Sequence, residues 1–323
     1  MLSCIKKHLE VHLKCLLLIG TGLLIAEDRA HANPARVALV RSPVWREYEQ
    51  TSRSIVSSLN GNPELSVEEI VFEAYSVSED GFWQKVTENR PELIVTVGTA
   101  STRSAINFVK NIPIVFTTVL DNLESLLAER NSADICGVTL AIPVEVQLRM
   151  MGEALPGIRR VGYIYGMSSQ DIYQKAEQYT SRNGIRLIAR EIASERDIPQ
   201  ALRDIIPEVD VFWMPLDAMI YYNQNIRHFI LLECFQNSVP IMAVSKKIAV
   251  AGTPLAVGVD YEDIGIQTAE LILRKLSRVN RTNSAIQHPR KVLLYINHGV
   301  SSSLGLNIPV EIADKAISVK SGR

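Results

Sequence analysis

The chain has 323 residues, of which 47% are hydrophobic and 21% are charged, and its 34 basic side chains nearly balance its 35 acidic ones. A charge this close to neutral, without a stripe of basic residues, gives no support for nucleic-acid binding. The length is large for one compact core and favours two lobes.

The first 32 residues are typical of a secretory signal peptide. Three lysines precede or enter an apolar stretch of about a dozen residues, CLLLIGTGLLIA, and Ala30-His31-Ala32 follows it. This stretch is shorter than the roughly 20 residues that a membrane span needs, although an uncleaved anchor is the alternative. We expect residues 1–32 to be removed and the mature protein to be a soluble periplasmic protein. The removed segment holds four basic and three acidic residues, so the mature net charge is −2.

After residue 32, buried apolar runs alternate with helical patterns. The predicted strands cover residues 37–40, 68–75, 93–97, 114–119, 135–141, 160–165, 185–192, 209–214, 240–244 and 292–296. The predicted helices cover about 48–59, 79–88, 99–110, 143–155, 169–182, 198–206, 220–236 and 262–277, and a short C-terminal helix is predicted after Leu304-Gly305-Leu306. Strands that are separated by helices of this length predict parallel sheets with crossover connections. The fold class is therefore α/β, with two doubly wound parallel-sheet lobes.

Residues 91–122, PELIVTVGTASTRSAINFVKNIPIVFTTVLDN, form the most informative unit. The buried strand 93–97 is broken by Gly98, and small residues then open a helix. The next strand also ends in small polar residues. Because the carboxyl ends of parallel strands meet at one edge of a sheet, these residues predict a ligand crevice. The alternative is an ordinary strand–helix–strand unit that binds nothing.

Chemical motifs are missing from the mature sequence. It has no HExxH, GxSxG, Walker or GxGxxG pattern, and His228, His288 and His298 are scattered. The spacing of Cys136 and Cys234 matches no zinc or redox motif, so two buried free thiols are expected, with a disulfide as the alternative. We therefore predict no catalytic residue, no metal and no cofactor, and the missing motifs disfavour the rival interpretation of an α/β enzyme.

Seven segments, in this order, give the chain a resemblance to a known family: IVTVGTASTRSA, IPIVFTTVLDN, GVTLAIPVEVQL, ALPGIRRVGYIY, VPIMAVSKKIAVAG, GVDYEDIGIQTAELILRKL and SLGLNIP. Residues 94–312 resemble the ABC-transporter substrate-binding proteins related to the tryptophan- and tyrosine-type binding lipoproteins. That resemblance implies the type I periplasmic-binding-protein fold. It assigns no particular ligand, because the family's common Thr-Asp-Asn is replaced here by Leu216-Asp217-Ala218.

The resemblance also implies a division of the chain. The N-terminal lobe would contain residues 33–138 and 260–289, and the C-terminal lobe residues 139–259 and 290–323, with a multi-strand hinge between them. A monomer would capture a small polar or amino-acid-like molecule by hinge closure and deliver it to an inner-membrane ABC permease. The alternative is a ligand-sensing subunit of a membrane signalling system with the same fold.

The first wall of the predicted ligand site is formed by Gly98, Thr99, Ala100 and Ser101, at a helix N-terminus that would hold a carboxylate. The alternative is simple capping of the helix by Thr99 or Ser101. Thr117 and Thr118 follow at the next strand end, and only one of these two is expected to face the cleft.

The remaining candidates each have a structural alternative. Asp121 contacts ligand or caps a turn, and Tyr165 stacks on ligand or packs in the core. Asp217 pairs with an amino group of the ligand or caps the following helix. Ser245, which ends another strand, completes the predicted site. Two further residues lie outside the predicted site. Asp260 is expected to cap a helix at the hinge, and Trp45 either closes the mouth of the cleft or is an ordinary surface aromatic residue.

Overall fold

The computed structural model describes residues 33–43, 45–72, 78–120, 135–217, 220, 223–277 and 286–322. Each half of this part of the chain is built around one β-sheet with helices on its faces. The strands are buried and almost continuously apolar, as strands covered on both faces are.

The first sheet has six strands in the described residues, in the order β2-β1-β3-β4-β5-β11, and all of its pairings are parallel. These strands are β1 Ala35–Arg41, β2 Leu65–Val71, β3 Leu93–Val97, β4 Ile114–Val119, β5 Ile135–Thr139 and β11 Ile286–Gln287. The strand predicted at 68–75 begins earlier, at Leu65, and residues 73–77 lie outside the described residues.

The second sheet has seven described strands in the order β7-β6-β8-β9-β10-β12-β13. They are β6 Arg160–Gly166, β7 Arg186–Ile192, β8 Val211–Met214, β9 Ile241–Val244, β10 Leu255–Val259, β12 Val292–Asn297 and β13 Ile317–Val319. The expectation of a wholly parallel sheet fails at one point, because β12 runs antiparallel to β10. The chain reaches β12 directly from β11 of the first sheet and not through a crossover helix.

The described helices lie where the apolar periodicity places them, with two additions. They are α1 Arg46–Leu59, α2 Glu79–Glu88, α3 Thr99–Phe108, α4 Val144–Ala154, α5 Gln170–Arg182, α6 Ile198–Ile205, α7 Gln224–Gln236, α8 Lys246–Ala251, α9 Tyr261–Leu276, α10 His298–Ser303 and α11 Val310–Ala313. Helices α8 and α10 were not predicted, because six residues are too few to show a helical period. Across the residues that the structure describes, no helix has both the length and the apolar character that a membrane span requires.

The chain passes between the two sheets three times: after β5, after β10 and after β11. After the second passage, α9 packs against α1 on the first sheet. Asp260 caps α9 by accepting hydrogen bonds from the N–H groups of Glu262 and Asp263, which confirms its predicted role. Its carboxylate also pairs with Lys291 at 2.6 Å, so the second and third passages are tied together. Burial opposes ionisation of Asp260, but the bonds from Lys291 and the helix lower its pKa overall.

Gly265 sets the closeness of α9 and α1. A Cβ atom on this residue would lie 2.5 Å from the Cβ of Ser54 and 2.8 Å from the carbonyl oxygen of Thr51. We expect Gly265→Ala to lower the free energy of unfolding by about 1–3 kcal/mol, since the two helices must move apart.

Gly152 in α4 is the matched control, because a Cβ atom there meets no atom within 4 Å. Gly152→Ala should raise stability by about 0.5–1 kcal/mol through helix propensity alone. Urea unfolding of both variants measures the difference. Equal effects of the two substitutions would show that the α9–α1 contact is not tight at Gly265.

Candidate functional site

Two segments that follow strands of different sheets touch each other. Lys247, in the first turn of α8 after β9, places its Nζ atom 3.5 Å from Oε1 of Glu47 and 3.8 Å from the ring centroid of Trp45. Trp45 and Glu47 follow β1 of the first sheet. The carboxyl edges of the two sheets therefore face each other, which is the arrangement in which open α/β sheets bind ligands.

Gly98 begins α3 at the edge of the first sheet. Its φ of +98° and ψ of 159° belong to a region that glycine alone adopts readily. A Cβ atom here would lie 2.6 Å from the ring of Tyr48, so the tyrosine of α1 packs directly on the start of α3. Ala100 is exposed and Thr99 is half-buried. Among the described residues, no acceptor is recorded for the N–H groups of these two, which leaves them accessible to an anion.

Ser101 is used by the fold. It is fully buried, its hydroxyl donates to the carbonyl oxygens of Val97 and Gly98, and its N–H donates to the hydroxyl of Ser42 at 3.1 Å. Ser42, which follows β1, thus caps α3 from the neighbouring strand. Ser42 is not among the residues predicted from the sequence, because its partner Ser101 lies 59 residues away in the chain.

Thr117 and Thr118 have different surroundings and therefore different roles. The hydroxyl of Thr117 bonds to Thr268 of α9 at 3.0 Å and so faces the packed side of the sheet. Thr118 lies in a register shift at the end of β4 and has a φ of +55°. A β-branched residue rarely adopts this conformation, which costs of the order of 1–3 kcal/mol and is concentrated at functional sites.

Ser245 has the corresponding position in the second sheet. β9 stands next to β10 as β4 stands next to β5, and Ser245 follows β9 with a φ of +96° and a ψ of 143°. Its side chain does not cap α8. Both sheets therefore carry a hydroxyl residue with positive φ at the end of the strand beside the passage.

Tyr165 has aromatic neighbours. Its ring stacks on Tyr173 at 4.7 Å with an interplanar angle of 9°, and on Tyr163 at 5.5 Å. Tyr163 in turn packs against Trp213. Tyr165 is 7% exposed, so its packing corresponds to the core alternative, and a ligand could reach no more than its edge.

Asp217 is 1% exposed, and both of its carboxylate oxygens accept hydrogen bonds from the protein. Ser169 donates its hydroxyl proton to Oδ2, Gly166 donates its N–H to the same oxygen at 3.5 Å, and Ile220 donates its N–H to Oδ1 at 3.3 Å. Helix α7 itself is capped by Asn223, so Asp217 serves as a buried acceptor that joins three segments of the chain. An amino group of a ligand would have to displace Ser169 to reach the carboxylate.

The other candidates do not add to the site. Asp121 lies outside the described residues. Cys136 and Cys234 are buried free thiols, and burial raises the pKa of both, that of Cys234 to about 12, so both stay protonated at neutral pH. No His, Cys, Asp and Glu side chains within the described part of the chain are grouped to hold a metal ion.

The chain is similar to a known protein family and to solved structures. The family model described as ABC transporter substrate binding protein matches residues 81–320. The tyrosine-binding protein of Clostridioides difficile (strain R20291) is 25% identical over 198 residues. That match covers 59% of this chain and spans only 56% of the length of the tyrosine-binding protein.

Two solved structures have the same fold. The ligand-free, open structure of a substrate-binding protein with adhesive properties from Clostridium difficile superposes with a TM-score of 0.75 at 18% identity, covering 89% of this chain and 100% of that one. An ABC domain in complex with L-Trp from Streptococcus pneumonia superposes with a TM-score of 0.61 at 16% identity, covering 88% and 99%. These likenesses confirm the predicted architecture of two doubly wound lobes.

Proposed function

The chain belongs to the family of ABC transporter substrate-binding proteins, and on that premise we propose that it captures one amino-acid-like molecule between its two lobes. The observation that carries the proposal is the first turn of α3. There Gly98 turns the backbone into the helix, and the N–H groups of Thr99 and Ala100 lie at the carboxyl edge of the first sheet. A ligand carboxylate would bind these groups and gain from the helix dipole.

The other residues of the proposed site differ in how directly they would contact the ligand. Ser245 is partly exposed, and its strained backbone conformation supports a role in contacting ligand. Thr118 is fully buried and donates its hydroxyl to the carbonyl oxygen of Thr117 at 2.7 Å, so it would act through the backbone geometry of the strand end. Thr117, Ser101 and Tyr165 would act indirectly, by fixing the elements that carry the site. A contact from Asp121 stays a prediction, whereas Asp217, which is buried and bonded within the protein, would also act indirectly.

The proposal also includes a role in transport. An exported protein would take its ligand in the periplasm, close about the three passages, and present the closed form to an inner-membrane ABC permease. The family of the chain supports this role, as does the two-lobed fold with facing strand ends. The names of similar proteins suggest L-tyrosine and L-tryptophan as the first ligands to try.

Isothermal titration calorimetry of the mature protein with L-tyrosine and L-tryptophan tests the proposed ligand class. We expect saturable binding of at least one of them, with one molecule bound per chain. If neither these two nor the remaining standard amino acids release or absorb heat on mixing, an amino-acid ligand is wrong.

Hinge closure has its own test. Each lobe supplies only part of the partners of the ligand, so binding should bring the lobes together. Small-angle X-ray scattering should show a smaller radius of gyration at saturating ligand than without ligand. Identical scattering curves, at a ligand concentration that calorimetry shows to be saturating, would contradict closure.

A further inference from the structure

Trp45, Glu47 and Lys247 form a contact between the two lobes that the proposed function does not use. The ammonium group of Lys247 lies over the ring of Trp45 at 3.8 Å and within 3.5 Å of the Glu47 carboxylate. An aromatic face combined with a carboxylate is a chemistry by which proteins recognise organic ammonium groups. The first lobe therefore presents a cation-binding pair.

This pair is accessible to solvent. Trp45 is 46% exposed, whereas Trp83 and Trp213, the other two tryptophans of the chain, are buried. The side chain of Glu47 keeps 28% of its surface accessible and that of Lys247 keeps 57%. Solvent screens an ion pair of this kind, so Lys247 is held weakly enough to be displaced.

The position of Lys247 is unfavourable for its own helix. Lys246 and Lys247 occupy the first turn of α8, which contains no acidic residue. Positive charge is disfavoured at a helix N-terminus because the helix dipole is positive there. Local helix stability thus does not explain a lysine at position 247, whereas the contact with Trp45 and Glu47 does.

The cation-binding pair adjoins the carboxylate site of the proposed function. Strands β1 and β3 are direct neighbours, and the hydroxyl of Ser42 after β1 bonds to Ser101 of α3. Tyr48, the residue after Glu47, packs its ring on Gly98. An α-amino acid carries an ammonium group beside its carboxylate, so two neighbouring strand ends offer partners for both.

We propose that Trp45 and Glu47 form the ammonium subsite of this protein, and that Lys247 occupies it in the absence of ligand and is displaced on binding. This proposal rests on the proposed function. It assigns recognition of the ammonium group to the first lobe and not to Asp217, and it makes Lys247 a built-in competitor of the ligand.

Calorimetry of wild type, Glu47→Gln and Lys247→Ala, with L-tryptophan and its des-amino analogue indole-3-propionate, tests this assignment. Glu47→Gln should weaken L-tryptophan binding about tenfold and leave indole-3-propionate within about twofold, as expected when one charge-assisted bond is lost. Lys247→Ala should tighten L-tryptophan binding about threefold or more, because an occupied site lowers apparent affinity. Weaker binding of both ligands by Lys247→Ala would instead make Lys247 a closing latch and overturn the proposal, as would unchanged binding in Glu47→Gln.

A second readout needs no amino-acid ligand. Trp45 is the single exposed tryptophan, so the fluorescence difference between wild type and Trp45→Phe reports on this ring. Titration with n-butylammonium chloride, against sodium chloride at equal concentration, should change this signal at about threefold lower concentration in Lys247→Ala than in wild type. In the Glu47→Gln/Lys247→Ala double variant the change should need about tenfold higher concentration than in Lys247→Ala.

The two readouts separate the proposals. If no standard amino acid binds wild type but n-butylammonium gives the expected response, the ligand class is wrong and the subsite stands. If n-butylammonium and sodium chloride give identical responses in Lys247→Ala, Trp45 and Glu47 do not form an ammonium subsite, whatever the amino acids do.

Discussion

Replacing Asp217 by alanine is expected to lower the free energy of unfolding by about 2–4 kcal/mol and to leave ligand affinity nearly unchanged. The carboxylate is buried and accepts hydrogen bonds from Ser169, Gly166 and Ile220. Without it, these buried donors lose their acceptor, and each unsatisfied group costs about 1–3 kcal/mol. Urea unfolding of the unliganded variant measures the loss, and calorimetry of the folded variant measures affinity.

Asp210 provides the matched control. Its carboxylate also accepts hydrogen bonds from three groups: the backbone N–H of Arg159, the backbone N–H of Arg160 and the guanidinium of Arg160. Its side chain, however, is 27% exposed. Because water can replace those bonds, Asp210→Ala should cost about 1 kcal/mol or less. An Asp217→Ala variant that is as stable as wild type but binds about tenfold more weakly would place Asp217 against the ligand, contrary to its contacts in the structure.

Gly98→Ala should be nearly as damaging to stability and should also weaken binding. The substitution forces a side chain into a φ of +98°, which costs about 1–3 kcal/mol, and sets its Cβ atom 2.6 Å from the Tyr48 ring. Displacing that buried ring adds a packing cost of about 1–3 kcal/mol. We expect a total loss near 3 kcal/mol by the sum of these effects, and at least about tenfold weaker ligand binding, because the start of α3 must shift.

Gly157 separates the two causes. Its φ is +93°, close to that of Gly98, but a Cβ atom there meets nothing within 4 Å. Gly157→Ala should therefore show the backbone cost alone, with unchanged affinity. If Gly98→Ala and Gly157→Ala destabilise the protein equally and neither affects binding, the contact of Tyr48 with Gly98 does not shape the site.

The fold could be predicted from the sequence to within a few residues for most strands. Buried parallel strands are continuous apolar runs, and residues 93–97 and 114–119 were recognised with their observed bounds. The short helix α8 was not predicted. Strand β12 was predicted at 292–296, but its antiparallel direction was not, since direction depends on neighbours in the sheet and not on a local period.

The site was predicted less well, because its contacts join distant residues. Most of the candidate residues lie at strand ends, as the sequence predicts, but a strand end does not reveal which partner a side chain meets. Thr117 turns to Thr268 because α9 returns to the first sheet 151 residues later. Ser169 donates its hydroxyl to Asp217 from 48 positions earlier in the chain, and Lys247 reaches Glu47, which lies 200 positions earlier.

The presence of a small molecule at the start of α3 can be measured most directly by native mass spectrometry of the mature protein as purified. Wild type should carry one bound molecule with the mass of an amino acid or a similar compound. Ala100→Leu should lose it, because the larger side chain covers the N–H groups of the first turn. Ala251→Leu, an exposed change at the far end of α8, should keep it. The same bound mass in equal amount on wild type and Ala100→Leu would contradict capture at this site.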